Sequence, residues 1–508
     1  MLNKIIRPLL FFVLFALLKI YGQNNNIQKL DDYFAKAVKE WQVPGAAIVI
    51  VRNDSIIFMK GYGVNDINKH SLIDENTLFP IASCTKAFTT TALSMLVDQG
   101  KILWDDPVIK YLPDFRMYDP WVTKEMNIRD LVTHRSGLAD FSGDILWLGS
   151  DYDAKEIIYR SQFLKPVTSF RTRFAYQNIL YSVAGQLFKA VTDTSWNDFL
   201  QTRIFNPLDM KKSVTRFGDF IKSGNIVSAH QLRNGKISVI KHTSSDGIAP
   251  AASVYSNASD MAQWIRLQLE AGSINGKRLL SESSIVETWL PQMTRKGWGY
   301  GTYGLGWYIE RFYHGIVVLE HGGGMPGITA RVCLIPDANI GFAVLTNSDI
   351  PFIPVIKNKI LDELIVNESK VDWSKELLPN KNYADTLIQN ASKKKEKNRI
   401  QNTKPTLPLE KYSGVYEDRM YGKADVSFRN GKLFLEFLHS KTFSGELKHW
   451  HQDTFYIDWN NEYLTRGWVK FDINFNGNVS QMTIDVPATP DILFSELLFK
   501  KAFKSKIE

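Results

Sequence analysis

Residues 80–90 read P-I-A-S-C-T-K-A-F-T-T. Thr85 to Val97 is rich in small and apolar residues at helical spacing, which places Ser83 at a helix N-terminus and Lys86, three positions on, on the same face within reach of its hydroxyl. A serine hydroxyl is a weak nucleophile until a neighbouring base takes its proton. A lysine serves as that base when burial or a nearby cation disfavours its ammonium form, and Phe79, Pro80, Ile81 and Phe88 supply apolar surroundings. A helix start also offers free backbone N–H groups and the positive end of the helix dipole, suited to an oxyanion. The competing reading is a serine cap beside a surface lysine.

Three S-x-x-K matches occur, so placement decides among them. Ser392/Lys395 lies in a basic stretch with nothing to perturb a lysine. Ser238/Lys241 follows Asn234-Gly235 in an alternating segment, where side chains three apart face opposite ways if the chain is extended. Ser83/Lys86 alone stands where a helix begins.

Outward from that helix, Ile27 to Trp41 has helical periodicity, and Ala46 to Val51 with Ile56 to Lys60 form a hairpin joined by Arg52-Asn53-Asp54-Ser55. Helical patterns follow at Ile179 to Val191 and Ala258 to Ala271. Strand signals return at Tyr303 to Ile309, Gly315 to Leu319, Ala330 to Ile335 and Gly341 to Leu345. Strands at both ends of a helical middle predict an α+β fold, one antiparallel sheet flanked by helices with an inserted helical subdomain. From Val371 to Asn402 the chain is charged and weakly helical, and Pro405 and Pro408 end that stretch. Period-2 alternation then runs through Val469, Phe471, Ile473 and Phe475, with turns at Asn430-Gly431 and Asn476-Gly477, which predicts a small antiparallel barrel or sandwich. The composition break implies few contacts across the boundary, so the barrel is expected to be separable.

A chain of 508 residues, 44% apolar, is long enough for two or three domains. Residues 1–22 carry a positive start and a short apolar run, Leu9 to Leu18, which reads as an export signal with cleavage near Gly22, an uncleaved anchor being the alternative. No Cys follows that run to carry a lipid. The net charge is +8, and Lys4, Arg7 and Lys19 in the signal leave +5, of which Lys393 to Arg399 hold +4. A basic excess confined to one run is a solvated face, not a nucleic-acid groove. Two cysteines, Cys84 and Cys333, and nine scattered histidines form neither a disulfide framework nor a metal-ligand spacing; no cofactor or metal is expected.

Two more motifs complete the constellation. Tyr176-Gln177-Asn178 precedes a helix, and His321-Gly322-Gly323-Gly324 follows a strand. S-x-x-K, Y-x-N and H-x-G in this order resemble the serine β-lactamase and penicillin-recognising peptidase superfamily, in particular its class C β-lactamase-like branch. Leu131 to Leu138, L-V-T-H-R-S-G-L, and Tyr303 to Trp307, Y-G-L-G-W, look like two further segments of that branch, and the resemblance spans Ile27 to Val366. It implies Ser83 as the acylated nucleophile, Lys86 as its base partner and Tyr176 as a proton-shuttling phenol. It also implies Asn178 as a substrate-amide ligand, with His321, Gly323 and Gly324 on the substrate and oxyanion side, the hole being the N–H groups of Ser83 and Gly324.

The family often carries K-T-G where this chain has His321-Gly322-Gly323, and the K-S-G at Lys222-Ser223-Gly224 follows no strong strand. An imidazole loses its charge near neutrality, so His321 is expected to hold a carboxylate less firmly than lysine and to make the rate depend on pH between about 5 and 8. His134 and Arg135 are expected to hold a loop together, and Trp121 and Trp147 are candidates to border the cleft. The last hundred residues look like the lipocalin-like accessory domain of some of these hydrolases. The expected division is a signal over 1–22, a hydrolase domain over 26–367, a linker over 368–404 and a barrel over 405–506. The expected function is an exported serine hydrolase, a peptidase on D-residue-containing or cell-wall-related peptides. Alternatives are a carboxylesterase or weak β-lactamase on the same site, or a sensor acylated without turnover. A small-molecule or peptide substrate is the expected partner, with no nucleic acid and no stable membrane span after signal removal; the oligomeric state is left open.

Overall fold

The computed structural model describes residues 26–295, 301–312, 315–366, 370–487 and 492–502, so the segment read as an export signal lies outside the described residues. The sheet begins with a tight hairpin. Asn53 and Asp54 both take positive φ, 48° and 60°, as two-residue hairpin loops require, and join β1 (Gly45–Arg52) to β2 (Ser55–Gly63). β1 is buried on both faces. Ile48 and Ile50 share a layer with Phe342 and Val344 and with Leu30, Phe34 and Trp41 of helix α1 (residues 26–41). Ala47, Val49 and Val51 alternate to the opposite face, into the core that holds α2 (Thr85–Asp98), α3 (Ile179–Thr192) and α4 (Ala258–Leu269).

The remaining strands are β3 (Met293–Thr294), β4 (Thr302–Tyr303), β5 (Tyr308–Arg311), β6 (Val317–Met325), β7 (Ile328–Ile335) and β8 (Ile340–Thr346). They complete an eight-stranded antiparallel sheet in the order β2-β1-β8-β7-β6-β5-β4-β3. β1 pairs with β8, from Ala46 opposite Thr346 to Arg52 opposite Ile340, so both ends of the domain meet side by side one strand in from the β2 edge, and the helical region is inserted between β2 and β3.

The stretch Tyr303 to Ile309 is not one strand. Gly304 donates its N–H to the Trp307 carbonyl at 2.8 Å and turns β4 back onto β5. Gly306 sits at φ +81°, and a Cβ there would lie 2.7 Å from Thr90 Oγ1 and 2.9 Å from the Lys86 carbonyl oxygen. Two glycines in four residues thus convert an extended run into a turn that packs on α2.

The charged stretch before the barrel contains a regular helix, α5 (Tyr383–Lys397). Beyond it, β9 (Gly414–Asp418), β10 (Gly422–Arg429), β11 (Lys432–Phe437), β12 (Ser444–His451), β13 (Thr454–Trp459), β14 (Gly467–Ile473), β15 (Val479–Asp485) and β16 (Phe499–Lys501) close a barrel. Its centre is filled by aromatic rings, Tyr412 against Phe471 at 5.2 Å and Phe437 against Phe499 at 5.1 Å among them.

The expectation of few contacts across the boundary is corrected. Buried apolar side chains of the helical region and of the barrel belong to one continuous core. Polar contacts reinforce it. Asp151 donates its N–H to the His439 carbonyl at 3.0 Å, Tyr152 stacks on the His439 ring at 4.5 Å, and Arg160 donates to the Met420 carbonyl at 2.8 Å. A chain ending at Asn402 is therefore expected to aggregate, or to unfold at a lower temperature than the full chain, in size-exclusion and thermal-melt measurements. A monomeric fragment with the parent melting temperature would contradict this.

Candidate active site

Every residue of α2 from Thr85 to Leu96 is buried, so the helix is central and Lys86, with no exposed surface, cannot reach water. A buried ammonium needs acceptors for its three N–H groups. Lys86 Nζ has Asn178 Oδ1 at 2.7 Å, Ser83 Oγ at 3.1 Å and the Ala251 carbonyl at 3.2 Å, and it lies 4.6 Å from the Tyr176 ring centre. The cap-and-surface alternative fails on both counts. Cys84 occupies the cap position of α2 without any side-chain cap bond, and the Ser83 hydroxyl is engaged by Lys86.

Ser83 sits in the short turn Ala82–Cys84 ahead of α2, and Ala82 takes a left-handed φ of +46°, a conformation that strains an alanine. That turn is held against β6. Cys84 Sγ donates to the His321 carbonyl at 3.2 Å, and a Cβ on Gly323 would stand 2.1 Å from the Ile81 carbonyl oxygen. Gly323 is thus the point of close approach between the Ser83 turn and the strand, while Gly324, where a Cβ would meet nothing within 4 Å, faces the cleft. Burial pushes the Cys84 thiol up to about 12, so it offers no thiolate beside Ser83. Cys84 and Cys333 are both free and buried, not bridged.

Tyr176 is buried and stacks on His134 with ring centres 4.2 Å apart. His134 Nδ1 accepts the Gln177 N–H at 2.9 Å, and its carbonyl accepts the Ala175 N–H at 2.8 Å, so it braces the segment that presents Tyr176. Burial, and then the Lys86 charge, hold its imidazole well below the usual histidine range, which keeps it neutral. Arg135 pairs with buried Asp130 at 2.7 Å, as a loop-holding residue should. Asn178 is fixed from both ends. Its Nδ2 donates to Asp144 Oδ2 at 2.6 Å while its Oδ1 accepts from Lys86, so the amide orientation is chemically unambiguous.

His321 is buried, and its expected titration near neutrality is corrected. Nδ1 lies 2.7 Å from the Gly322 carbonyl, which only accepts, so Nδ1 carries the hydrogen and Nε2 accepts from the Tyr303 hydroxyl at 3.1 Å. Burial, with the Lys86 charge second, pushes its pKa down to about 3. Beneath it, Glu320 is held at about 2. Burial alone would raise that carboxyl, but Arg331 at 2.7 Å and Lys357 at 2.5 Å outweigh it.

Ser83, Tyr176, Asn178, His321 and Gly324 line one cleft of about 620 Å³, with Trp147, Phe174, Tyr308 and Arg331 on its walls and Tyr463 and Ile492 contributed by the barrel domain. Trp121 is not among them; it is more than half exposed and meets Phe170 edge-on at 6.1 Å. The decoys lie elsewhere. Lys222 ends a short helix, Phe217–Lys222, Ser238 is on a two-stranded hairpin, and Lys395 pairs with Asp485. Asp144 and Ala251 were not singled out from the sequence, and Tyr303 was read only as part of the Y-G-L-G-W segment, with no partner assigned to its hydroxyl. Among the described residues no cluster of three His, Cys, Asp or Glu side chains is placed to hold a metal ion.

Gly323→Ala should destabilise the protein by about 1–3 kcal/mol and abolish covalent labelling of Ser83, whereas Gly324→Ala should melt with the parent, as thermal unfolding and intact-mass analysis would show. Equal behaviour of the two variants would contradict the close approach. A second expectation follows from His321. Its folded pKa lies below the unfolded value, so its stabilising effect is complete above pH 6.5 and is lost as pH falls. At pH 5 holding the histidine neutral has cost about 2 kcal/mol of stability relative to pH 7. His321→Gln should therefore flatten the fall in melting temperature between pH 7 and 5, and leave the shape of the pH–rate profile between 5 and 8 unchanged. A parent rate profile with an inflection near 6.5 that vanishes in His321→Gln would restore a titrating histidine.

The family model described as Beta-lactamase matches residues 30–364, and a second, described as a domain of unknown function (DUF3471), matches residues 398–501. Unguisins hydrolase ungD of Aspergillus violaceofuscus (strain CBS 115571) is 26% identical over 458 residues, covering 81% of this chain and 79% of that protein. Protein flp of Staphylococcus aureus (strain MW2) is 23% identical over 348 residues, 68% of each. Among solved structures, the octameric penicillin-binding protein homologue from Pyrococcus abyssi superposes with a TM-score of 0.61 at 21% identity, covering 94% of this chain and 100% of that one. SurE superposes with a TM-score of 0.57 at 16% identity, covering 95% and 100%. With most of its length matched by that family model, and with the S-x-x-K, Y-x-N and H-x-G segments converging on one cleft, the chain belongs to the beta-lactamase family of serine hydrolases.

Proposed function

We propose that the protein is an exported peptidase that cleaves peptides containing D-residues, or peptides related to bacterial cell walls, through an acyl-enzyme on Ser83. The observation that carries this reading is the buried Lys86 amine, shared between the Ser83 hydroxyl and the Asn178 amide at the floor of the cleft. In the proposed cycle Lys86 reacts as the neutral amine and takes the proton of the Ser83 hydroxyl as that oxygen attacks the scissile carbonyl, and Tyr176 relays the proton onward. The N–H groups of Ser83 and Gly324 hold the oxyanion, and the Tyr176 hydroxyl returns a proton to the leaving amine. Asn178 orients the substrate amide, and water releases the acyl group. The N–H of Gly324 serves because Gly323 lets the strand close on the nucleophile turn.

One likeness supports a substrate with D-residues: SurE, a neighbour in fold at a TM-score of 0.54, has been solved with D-Leu. A relative named unguisins hydrolase supports hydrolysis. Carboxylester hydrolysis is the second reading, favoured by His321, which brings no positive charge to the position where the family's lysine would attract a carboxylate. The same neutrality argues against strong β-lactam turnover. Export rests on the apolar run within residues 1–22.

Ser83→Ala should lose both turnover and labelling by a fluorophosphonate probe, read by intact mass, while Ser238→Ala keeps both. Lys86→Arg retains the charge but cannot release a proton, so its rate should fall by about a hundred- to ten-thousand-fold. A panel of D-residue peptides, p-nitrophenyl esters and a chromogenic cephalosporin separates the readings, peptide turnover supporting the first. Labelling that survives Ser83→Ala, or near-parent rates in Lys86→Arg, would overturn the assignment.

A further inference from the structure

We propose that Glu496, a residue of the C-terminal barrel, is a positioning residue of the active site. The proposal rests on the reading of Ser83 as the nucleophile. Glu496 ends the short turn Phe494–Glu496 between β15 and β16, and its carboxylate leaves the barrel to grip the helical region. The Ser142 hydroxyl donates to Oε1, the Gly143 N–H donates to Oε2 at 3.0 Å, and the Tyr421 hydroxyl, from the barrel side, donates to Oε2 at 2.6 Å. Two consecutive residues of one domain are thus held by both oxygens of one carboxylate from the other. Ser142 is fully buried and Tyr421 nearly so.

The residue that follows this grip is Asp144. Its Oδ2 accepts from Asn178 Nδ2 at 2.6 Å, Asn178 Oδ1 accepts from Lys86 at 2.7 Å, and Lys86 Nζ reaches Ser83 Oγ at 3.1 Å. A continuous run of charge-assisted hydrogen bonds and one peptide link therefore connects the barrel to the nucleophile. Hydrogen bonds to a carboxylate are directional and stronger than neutral ones, so this contact fixes where the 142–144 turn stands. A shift of that turn moves the Asp144 carboxylate, and with it the Asn178 amide that must meet both Lys86 and the substrate. A misplacement of about 1 Å at a catalytic group costs about 100-fold in rate.

The contact also differs from the other barrel contacts. His439 pairs with Asp151 at 2.9 Å and stacks on Tyr152, joining the same two domains, but neither Asp151 nor Tyr152 lines the cleft or touches the Asn178 chain. Comparing Glu496 with His439 therefore separates positioning from general adhesion.

The test uses the full-length protein and the rate constant for acylation by a p-nitrophenyl ester, with labelled sites counted by fluorophosphonate. Ser83 dependence is established first with Ser83→Ala. Glu496→Ala should slow acylation by about 100-fold with KM changed by less than about threefold, and Glu496→Gln, which keeps one acceptor oxygen, should recover about tenfold of that loss. His439→Ala should stay within about threefold of the parent. In an Asn178→Ala background Glu496→Ala should add less than about threefold, because the amide through which it acts is gone. Should Glu496→Ala not fold, Glu496→Gln and Tyr421→Phe enter the same cycle, each with a loss that disappears in Asn178→Ala. The proposal is overturned if the Glu496 variants acylate at the parent rate, if their loss multiplies in full with that of Asn178→Ala, or if His439→Ala loses as much. Acylation that persists in Ser83→Ala overturns the nucleophile reading as well, and so is told apart from a failure of Glu496 alone.

Discussion

One buried amine organises this molecule. Lys86 has no exposed surface, and an ammonium taken out of water without partners is costly by several kcal/mol. Its acceptors come from three places: the turn before its own helix, the segment entering α3, and the short helix Ala249–Ala252. Those three cannot converge unless the inserted helical region folds down onto the sheet. Burial of α2 from Thr85 to Leu96, with Ala87, Phe88, Ala92, Leu93, Met95 and Leu96 in the core, drives that collapse, and the amine then specifies its register, since a slip of one residue would strand a buried cation. Non-directional burial supplies the stability, and the directional bonds of Lys86 fix one arrangement among the many that burial alone would accept.

The sequence made the scaffold legible where a physical period is local. The unbroken apolar run over Gly45–Arg52 reports a strand packed on both faces, and the three-residue step from Ser83 to Lys86 reports a shared helical face. The turns at Asn53-Asp54 and Asn430-Gly431 follow from residues that tolerate positive φ. What escaped has no local signature. Asp144 and Glu496 are separated from their partners by 34 and about 350 positions, and each is an ordinary acidic residue until folding brings its donors to it. The Tyr303 to Trp307 segment misled because two aromatics and a leucine imitate a strand, while its glycines decide that it is a turn.

The histidine of the H-x-G segment shows why residue type alone misstates electrostatics. In water an imidazole titrates near neutrality, and the sequence offers only that value. Inside this site, desolvation and the charge of Lys86 both oppose protonation, and the bond from Nδ1 to the Gly322 carbonyl is satisfied by the neutral ring. Neutral His321 therefore adds no second positive charge beside Lys86. The cations near β6, Arg331 and Lys357, both pair with Glu320, whose single negative charge offsets one of the two. The Lys86 nitrogen itself lies 4.6 Å from the centre of the Tyr176 ring.

The same distinction between stickiness and direction applies where the two domains meet. Apolar contact between barrel and helical region excludes water but tolerates sliding by a fraction of an ångström, because dispersion changes slowly along a smooth surface. Charged hydrogen bonds do not tolerate it, since both distance and angle must hold. In this protein the interface contacts with charged or ring groups, such as Asp151 with His439 and Arg160 with Met420, ring the apolar part, and the bidentate grip of Glu496 falls at the two residues before Asp144. A barrel that served only to cover an apolar face would have no reason to place its most constrained contact beside the residue that orients Asn178. Its aromatic-filled centre argues the same way, because a barrel packed solid with rings acts through its rim. Its rim brings Tyr463 and Ile492 to the cleft wall and Glu496 to the turn behind it, so the barrel shapes the cleft and holds the residue before Asp144, on which the Asn178 amide rests.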